Sequence, residues 1–353
     1  MIVISARSPF EIIINETGQT GSKVELFIWN KGTTEPTIPT YIMSENIASV
    51  TQTETNYNIS PYVLEYINHI VPVNNSTPVV EDNSNWCFVR VKRYKNVSGT
   101  FTLLNNVLYV GVNAYTSVIQ NLNFDIANGE NYALLGNSAI KIQYYQFIPY
   151  YNFLCDRQTS FTFYAAYYDK TNTLLFTSNF LGTGSSEIFN FKIPLAITNS
   201  VKCVIGNTSE GTLYEIQTEK LEECKYTPVV VSYVNKLGGW QRLTFFKAQT
   251  NSISIKGSEY TLMQPNITYD YKLGQKRAFN LNGKQTIKLN TGWVYENYNE
   301  LIQELMLSQR VLIDAIPAVV KTQSLTYKTD LKDKNINFEM DFEYSNNLLN
   351  DIV

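Results

Sequence analysis

Ile336-Asn-Phe-Glu-Met-Asp-Phe-Glu-Tyr344 places Ile, Phe, Met, Phe and Tyr at alternate positions and Asn, Glu, Asp and Glu between them. A period of two is the signature of a strand with one face on a core and the other in water. The surrounding sequence agrees with it. Upstream, Asn282-Gly283 between alternating residues predicts a hairpin turn. Residues 296–308 predict a short amphipathic helix, with Tyr298, Leu301, Ile302, Leu305 and Met306 on one side and Asn297, Glu300, Gln303 and Glu304 on the other. Pro228-Val-Val-Val-Ser-Tyr233 predicts a further strand, followed by Gly238-Gly239-Trp240.

The same reading extends toward the N-terminus. Strands are expected over residues 10–15, over 23–30 with Val24, Leu26 and Ile28 on one face, and over 87–94. A hairpin is expected to turn at Asn105-Asn106, since Asn tolerates positive φ. Ser60-Pro61 reads as an N-cap and first helical position, with Val63, Leu64, Ile67 and Ile70 along one side. Two more hairpins are expected, residues 160–169 against 174–180 and 200–206 against 212–217. The fold class is therefore mainly β, with two or three β-sandwich-like domains and a few short helices. The segments are 1–130, a β-sandwich-like N-terminal domain; 131–226, a middle β domain; and 227–353, a C-terminal β domain holding the helix.

Composition points the same way. The 353 residues suffice for two or three cores. Tyr (25) and Phe (18) are plentiful and about one residue in nine is Asn, which suits pleated surfaces and turns. The net charge is −3 without any basic block, which argues against nucleic acid as a partner. Arg7, Pro9 and Glu11 interrupt the first apolar residues before a signal-peptide core forms, and no run reaches the roughly 18 apolar residues of a membrane span. Cys87, Cys155, Cys203 and Cys224 show no metal-ligand spacing and read as free buried thiols.

Catalytic signals are missing from the sequence. His69 is the sole histidine, so every Ser-His-Asp, Cys-His or His-containing zinc arrangement would have to use it. It falls at the end of the Ser60 helix, where a structural role is expected. There is no P-loop, no G-x-S-x-G and no H-E-x-x-H. Gly182-Thr-Gly184 reads as a loop tip, and Glu222-Glu223 would point to opposite faces of a strand. No enzyme, cofactor or metal is expected. The candidate interaction residues are aromatic: Trp240, Trp293, Tyr144, Tyr145, Tyr167 and Tyr168, the tyrosines near Phe147, Tyr150, Tyr151 and Tyr164. Such rings suit either a carbohydrate or a protein partner, or an ordinary core.

Both ends of the chain resemble structural proteins of tailed phages that infect Bacteroidetes. At the start these are Arg7-Ser-Pro-Phe10, Val24-Glu-Leu-Phe-Ile-Trp29 followed by Pro36 and Pro39-Thr-Tyr41, and Tyr57-Asn-Ile-Ser-Pro-Tyr62. At the end they are Tyr233-Val-Asn-Lys-Leu-Gly-Gly-Trp240, Leu289-Asn-Thr-Gly-Trp293, Leu307-Ser308, Val311-Leu-Ile313 and the alternating strand. The resemblance covers about the first 70 and the last 125 residues. It implies a multi-copy component of a virion tail or baseplate, made in the host cytoplasm and held by contacts with itself and with other virion proteins. Binding of a host-surface glycan through the tyrosine-rich middle segment, and glycan hydrolysis, remain as alternatives.

Overall fold

The computed structural model describes residues 2–49, 51–67, 79–83, 85–116, 131–157, 161–185, 187–223, 225–263, 272, 274–326 and 335–349. These form a mainly β protein with several sheets and two helices. Contacts group the chain into two units, residues 1–221 with 233–243, and residues 222–232 with 244–353.

The first unit begins with β1 (Val3–Ser5), β2 (Glu11–Ile14), β3 (Gly21–Trp29), β4 (Tyr41–Asn46), β5 (Thr55–Asn58), α1 (Ser60–Tyr66), β6 (Val80–Glu81), β7 (Trp86–Val97) and β8 (Thr100–Val112). A five-stranded sheet runs β1–β8–β7–β3–β4, and β2 pairs with β5. Val24, Leu26 and Ile28 share one buried face of β3, as expected, and pack with Ile12, Ile14, Val63 and Val89 into one core. That burial offsets the entropy of ordering the long β7–β8 hairpin.

Two local expectations are corrected here. The β7–β8 turn lies at Ser98-Gly99, where φ is 49° and 92°, and not at Asn105-Asn106. A two-residue turn of this kind needs two successive positive φ values, which Gly supplies without strain. Asn105 and Asn106 instead lie opposite Arg93 and Lys92 inside the ladder. Their side chains accept hydrogen bonds from Arg93 Nε (2.6 Å) and Arg90 Nη1 (3.2 Å), which suits them to mid-strand positions. In α1 the N-cap is Ile59, and Ser60 is the first helical residue. The Ser60 hydroxyl donates to the Ser8 carbonyl (2.5 Å), while Asn58 Oδ1 receives the Ser60 N–H (3.2 Å) and so does the work assigned to a capping serine. His69 and Ile70 lie outside the described residues.

The unit continues with β9 (Tyr132–Leu135), β10 (Ile142–Tyr144), β11 (Tyr150–Asp156), β12 (Phe163–Tyr168), β13 (Leu174–Leu181), β14 (Ile188–Pro194), β15 (Lys202–Asn207) and β16 (Gly211–Lys220). They form two sheets, β10–β16–β15–β12–β13 and β6–β14–β11–β9. Both expected hairpins are present, β12–β13 and β15–β16. The two sheets meet through aromatic rings: Phe153 with Phe163 at 5.4 Å, and Phe180 with Phe191 at 5.0 Å, edge to face. Trp86, Val110 and Val112 pack with Ala133 and Leu154, so residues 1–116 and the middle strands share a core. Cys87, Cys155 and Cys203 are buried free thiols, and burial pushes Cys87 and Cys203 up to about 12. Cys224 lies outside the described residues.

The chain goes on through β17 (Val229–Val234), β18 (Trp240–Phe245), β19 (Thr250–Thr261), β20 (Lys276–Asn290), β21 (Val294–Tyr295), α2 (Tyr298–Met306), β22 (Val311–Ile313), β23 (Ile316–Val320), β24 (Asn335–Ile336) and β25 (Glu339–Tyr344). In the second unit neighbouring strands run β22–β23–β25–β20–β19. Asn282-Gly283 does not turn the chain. It pairs with Lys256 and Ile255 inside the β19–β20 ladder, beside a register shift. The Asn282 amide instead holds a later segment, donating to the Leu349 carbonyl and accepting its N–H, both at 3.1 Å.

The quoted final strand is two strands. Ile336 pairs with Val294, whereas residues 339–344 pair with β20 and β23. Between them Phe338 bonds Thr291, its N–H reaching Oγ1 at 3.0 Å. The alternation survives the break, with Ile336, Phe338, Met340 and Phe342 buried and Glu339 and Asp341 exposed. In α2 the apolar stripe is as expected at Tyr298, Leu301, Ile302 and Leu305, but Glu304 is buried and Met306 is only half-buried. Phe342→Ala is expected to cost about 3–5 kcal/mol through the cavity it leaves. Glu339→Ala, which loses an exposed pair with Lys288 at 2.7 Å, should cost under about 1 kcal/mol. Urea denaturation of the two variants checks the contrast.

Candidate interaction surfaces

Trp240 is no surface residue. Its backbone N–H donates to Asn152 Oδ1 and its indole N–H to Asn85 Oδ1, both at 3.1 Å. Asn85 and Asn152 in turn donate to Asp82 Oδ2, at 3.1 and 3.0 Å. The turn before it is built on Asn235, whose Oδ1 accepts the N–H groups of Leu237 (3.1 Å) and Gly239 (3.0 Å). The Asn235 amide donates to the Leu135 carbonyl (3.0 Å). Glycine is required at 239, because a Cβ there would lie 2.7 Å from the Leu135 carbonyl oxygen. Trp293, in the second unit, is 64% exposed.

The four tyrosines divide in the same way. Tyr144 and Tyr167 are buried, and Tyr167 donates to the Pro194 carbonyl at 2.9 Å. Tyr145 and Tyr168 are half-buried. Tyr145 lies just past the end of β10, and Tyr167 and Tyr168 are neighbours on β12 at a register shift. What the middle strands do form is an open cleft of about 1140 Å³, between the ends of β10 and β16, the turn after β12 and residues 197–202. Tyr144 and Tyr145 line it, with the amides of Asn172 and Asn199.

Its charges are largely paired within the cleft. Lys141 meets Glu219 at 3.0 Å, and Lys202 meets Glu215 at 3.8 Å and donates to Asn172 Oδ1 at 2.5 Å. The Asp169 carboxyl is held below its usual range by the Thr173 N–H first, then by the Thr171 hydroxyl. Such a lining offers hydrogen bonds to a polar ligand. Among the described residues no group of three or more His, Cys, Asp or Glu could hold a metal ion.

A second cluster lies deeper in the same unit. The Lys192 ammonium and the Arg242 guanidinium both approach the buried Tyr150 ring, at 4.5 and 4.8 Å from its centroid. Burial, aided by the Arg242 charge and opposed by Asp82, pulls Lys192 down to about 8. The sequence offers no sign of this cluster, because Asp82, Tyr150, Lys192 and Arg242 are brought together only by tertiary pairing.

The second unit carries a different surface. Every residue of β19 is exposed, and so are residues 276–281 of β20. Beyond Asn282-Gly283 the two strands form a ribbon open to solvent on both faces. Tyr260, Phe279 and Leu281 stand out from it, and before it Ile253 and Ile255, opposite Gln285 and Gly283, are exposed on β19, Ile255 at 69%. Tyr260 and Phe279 stack edge to face at 5.6 Å on one side, with Arg277 opposite Tyr260. Among the described residues β19 ends its sheet, and no described strand pairs with its outer backbone groups.

No protein-family model matches this chain, and no curated protein is significantly similar to it. Among the described residues no helix is long and apolar enough to cross a membrane.

Lys192 generates a pH prediction. Its folded-state value near 8 lies below the 10.5 of a free lysine, so between those limits the unfolded chain binds more protons. Stability therefore gains from this group as pH rises through that window. Comparing urea midpoints at pH 7.5 and 10, the rise should be smaller in Lys192→Met than in the parent protein.

Proposed function

We propose that the protein is a non-enzymatic structural subunit that works in several copies, as a component of a phage tail or baseplate. The observation that carries this reading is the β19–β20 arm. A two-stranded ribbon is marginally stable alone in water. This one leaves aliphatic and aromatic side chains uncovered, and its edge strand is 12 residues long. Soluble proteins usually blunt such an edge with proline, inward charges or a covering loop. Its retention is explained by a partner that covers the arm after assembly, since permanent interfaces are the apolar ones. The resemblance of both chain ends to phage structural proteins supplies the particle, and with it the virion tail as location, after synthesis in the host cytoplasm, and other virion proteins as neighbours.

Sedimentation of the full chain tests the assembly. Association is expected in the micromolar range, and Ile255→Asp with Phe279→Asp should weaken it at least tenfold without changing the circular dichroism spectrum or melting temperature. Micromolar association corresponds to about −8 kcal/mol, so a chain that stays monomeric at about 100 µM would refute the reading. Mass spectrometry of purified particles tests the location.

The cleft favours a second reading, a host-surface glycan held by Tyr145 and the amides of Asn172 and Asn199. Glycan-array binding that is lost in Tyr145→Ala with Asn199→Ala would support it; an array without signal would remove it.

A further inference from the structure

We propose that Asn282-Gly283 is a site of spontaneous covalent modification, at which the Gly283 backbone nitrogen displaces ammonia from the Asn282 side chain and the resulting acid releases Leu348-Leu349. It stands independently of the assembly proposed above. Three observations meet at this pair.

The first is the residue types. Ring closure from a backbone nitrogen onto the preceding side-chain amide is hindered by a Cβ on the attacking residue, and glycine has none. The chain holds two Asn-Gly pairs, of which Asn128-Gly129 lies outside the described residues.

The second is the approach. The Gly283 N–H donates to Asn282 Oδ1 at 2.7 Å, so the side-chain amide is folded back over the nitrogen that attacks it. Holding two reacting groups this close before reaction removes much of the entropic barrier. The regular β19–β20 ladder is interrupted beside the pair, where the register shifts between Lys256 and Ser258 and Asn280 has a φ of 50°. Asn282 is half-buried and Leu348 and Leu349 over it are exposed, so hydroxide and water have a short path to the pair.

The third is what the amide holds. Asn282 Nδ2 donates to the Leu349 carbonyl and Oδ1 accepts the Leu349 N–H, while the Leu348 N–H donates to the Gly283 carbonyl at 2.8 Å. Only a group with both a donor and an acceptor fills that role. A carboxylate accepts and cannot donate, so it would set an oxygen against the Leu349 carbonyl.

The reaction balances with water alone. The Gly283 nitrogen, its proton taken by hydroxide, bonds to Asn282 Cγ. The Cγ–Nδ2 bond breaks, ammonia leaves with a proton from water, and a cyclic imide remains. Water then opens one imide carbonyl to give Asp, or the other to give an isoaspartyl linkage that carries an extra methylene in the backbone. In sum the amide and one water become a carboxylate and ammonium, with nothing oxidised or reduced.

Peptide mapping by mass spectrometry of the full chain, aged at mildly alkaline pH, tests the reaction. Asn282 is expected to convert at least tenfold faster than Asn251, which is exposed on β19 and followed by Ser252, and to slow as the pH is lowered. Conversion no faster than at Asn251, or a rate indifferent to pH, overturns the site. Hydrogen exchange tests the release. The Leu348 N–H should exchange at least tenfold faster in the aged protein and in Asn282→Asp than in fresh parent protein. Unchanged exchange in both overturns the release, whatever the mapping shows of the reaction.

Discussion

The Asn152 amide holds the first unit's interior together. It is fully buried on β11, and a buried amide is costly unless its polar groups find partners. Its oxygen takes the Trp240 N–H, and its nitrogen gives to Asp82 and to Asn190 Oδ1. Trp240 then reaches Asn85, and Asn85 returns to Asp82. Each member satisfies another that would otherwise be stranded in a low-dielectric interior, so the set is worth more than separate pairs. Asn235 extends the same logic to its turn, where one side chain accepts from two backbone N–H groups and donates to Leu135. A core rich in Asn is consistent with a single geometry, since apolar neighbours alone would tolerate slippage that amides do not.

The second unit is governed by a different constraint. Strands β20, β23 and β25 hold Phe342, Met340 and Ile287 against the core, and Leu348-Leu349 is fastened at Asn282-Gly283. Past that point the described residues of both ribbon strands are exposed. The Asn152 and Asn235 amides are satisfied within one copy, whereas among the described residues no strand pairs with the outer groups of β19. The contrast places specificity inside the fold and association at its edges.

The fold was legible where periodicity decided it. Val24, Leu26 and Ile28, the α2 stripe and the residues from Ile336 to Phe342 all declared their buried faces by spacing alone, because burial acts on every second or every third to fourth side chain. Turn chemistry was less informative. Asn-Asn and Asn-Gly are turn signals on average, yet in this chain Ser98-Gly99 takes the hairpin turn, Asn105 and Asn106 bond arginines across the ladder, and Asn282 holds Leu349. An asparagine that can bond the backbone locally can equally bond a residue 67 positions away, and the sequence does not distinguish the two. The Asp82, Asn85, Asn152 and Trp240 network was illegible for the same reason, since its members are joined only after the sheets have formed.

The two tryptophans show how this bears on function. Trp240 and Trp293 both follow glycine and both looked like contact residues in the sequence. One is sealed by two hydrogen bonds to buried amides, and the other stands in solvent. Aromatic content therefore does not locate an interaction surface in a protein that also uses aromatics to fill sandwiches, as Phe153, Phe163, Phe180 and Phe191 do. What discriminates is the state of the backbone beside the side chain. A ring whose backbone N–H and ring N–H are both bonded within the copy, as in Trp240, belongs to the core. Tyr260 on β19 and Phe279 beside it belong to a ribbon whose edge is unpaired, and there an apolar side chain and an open hydrogen-bond row can be covered in one event by one partner strand.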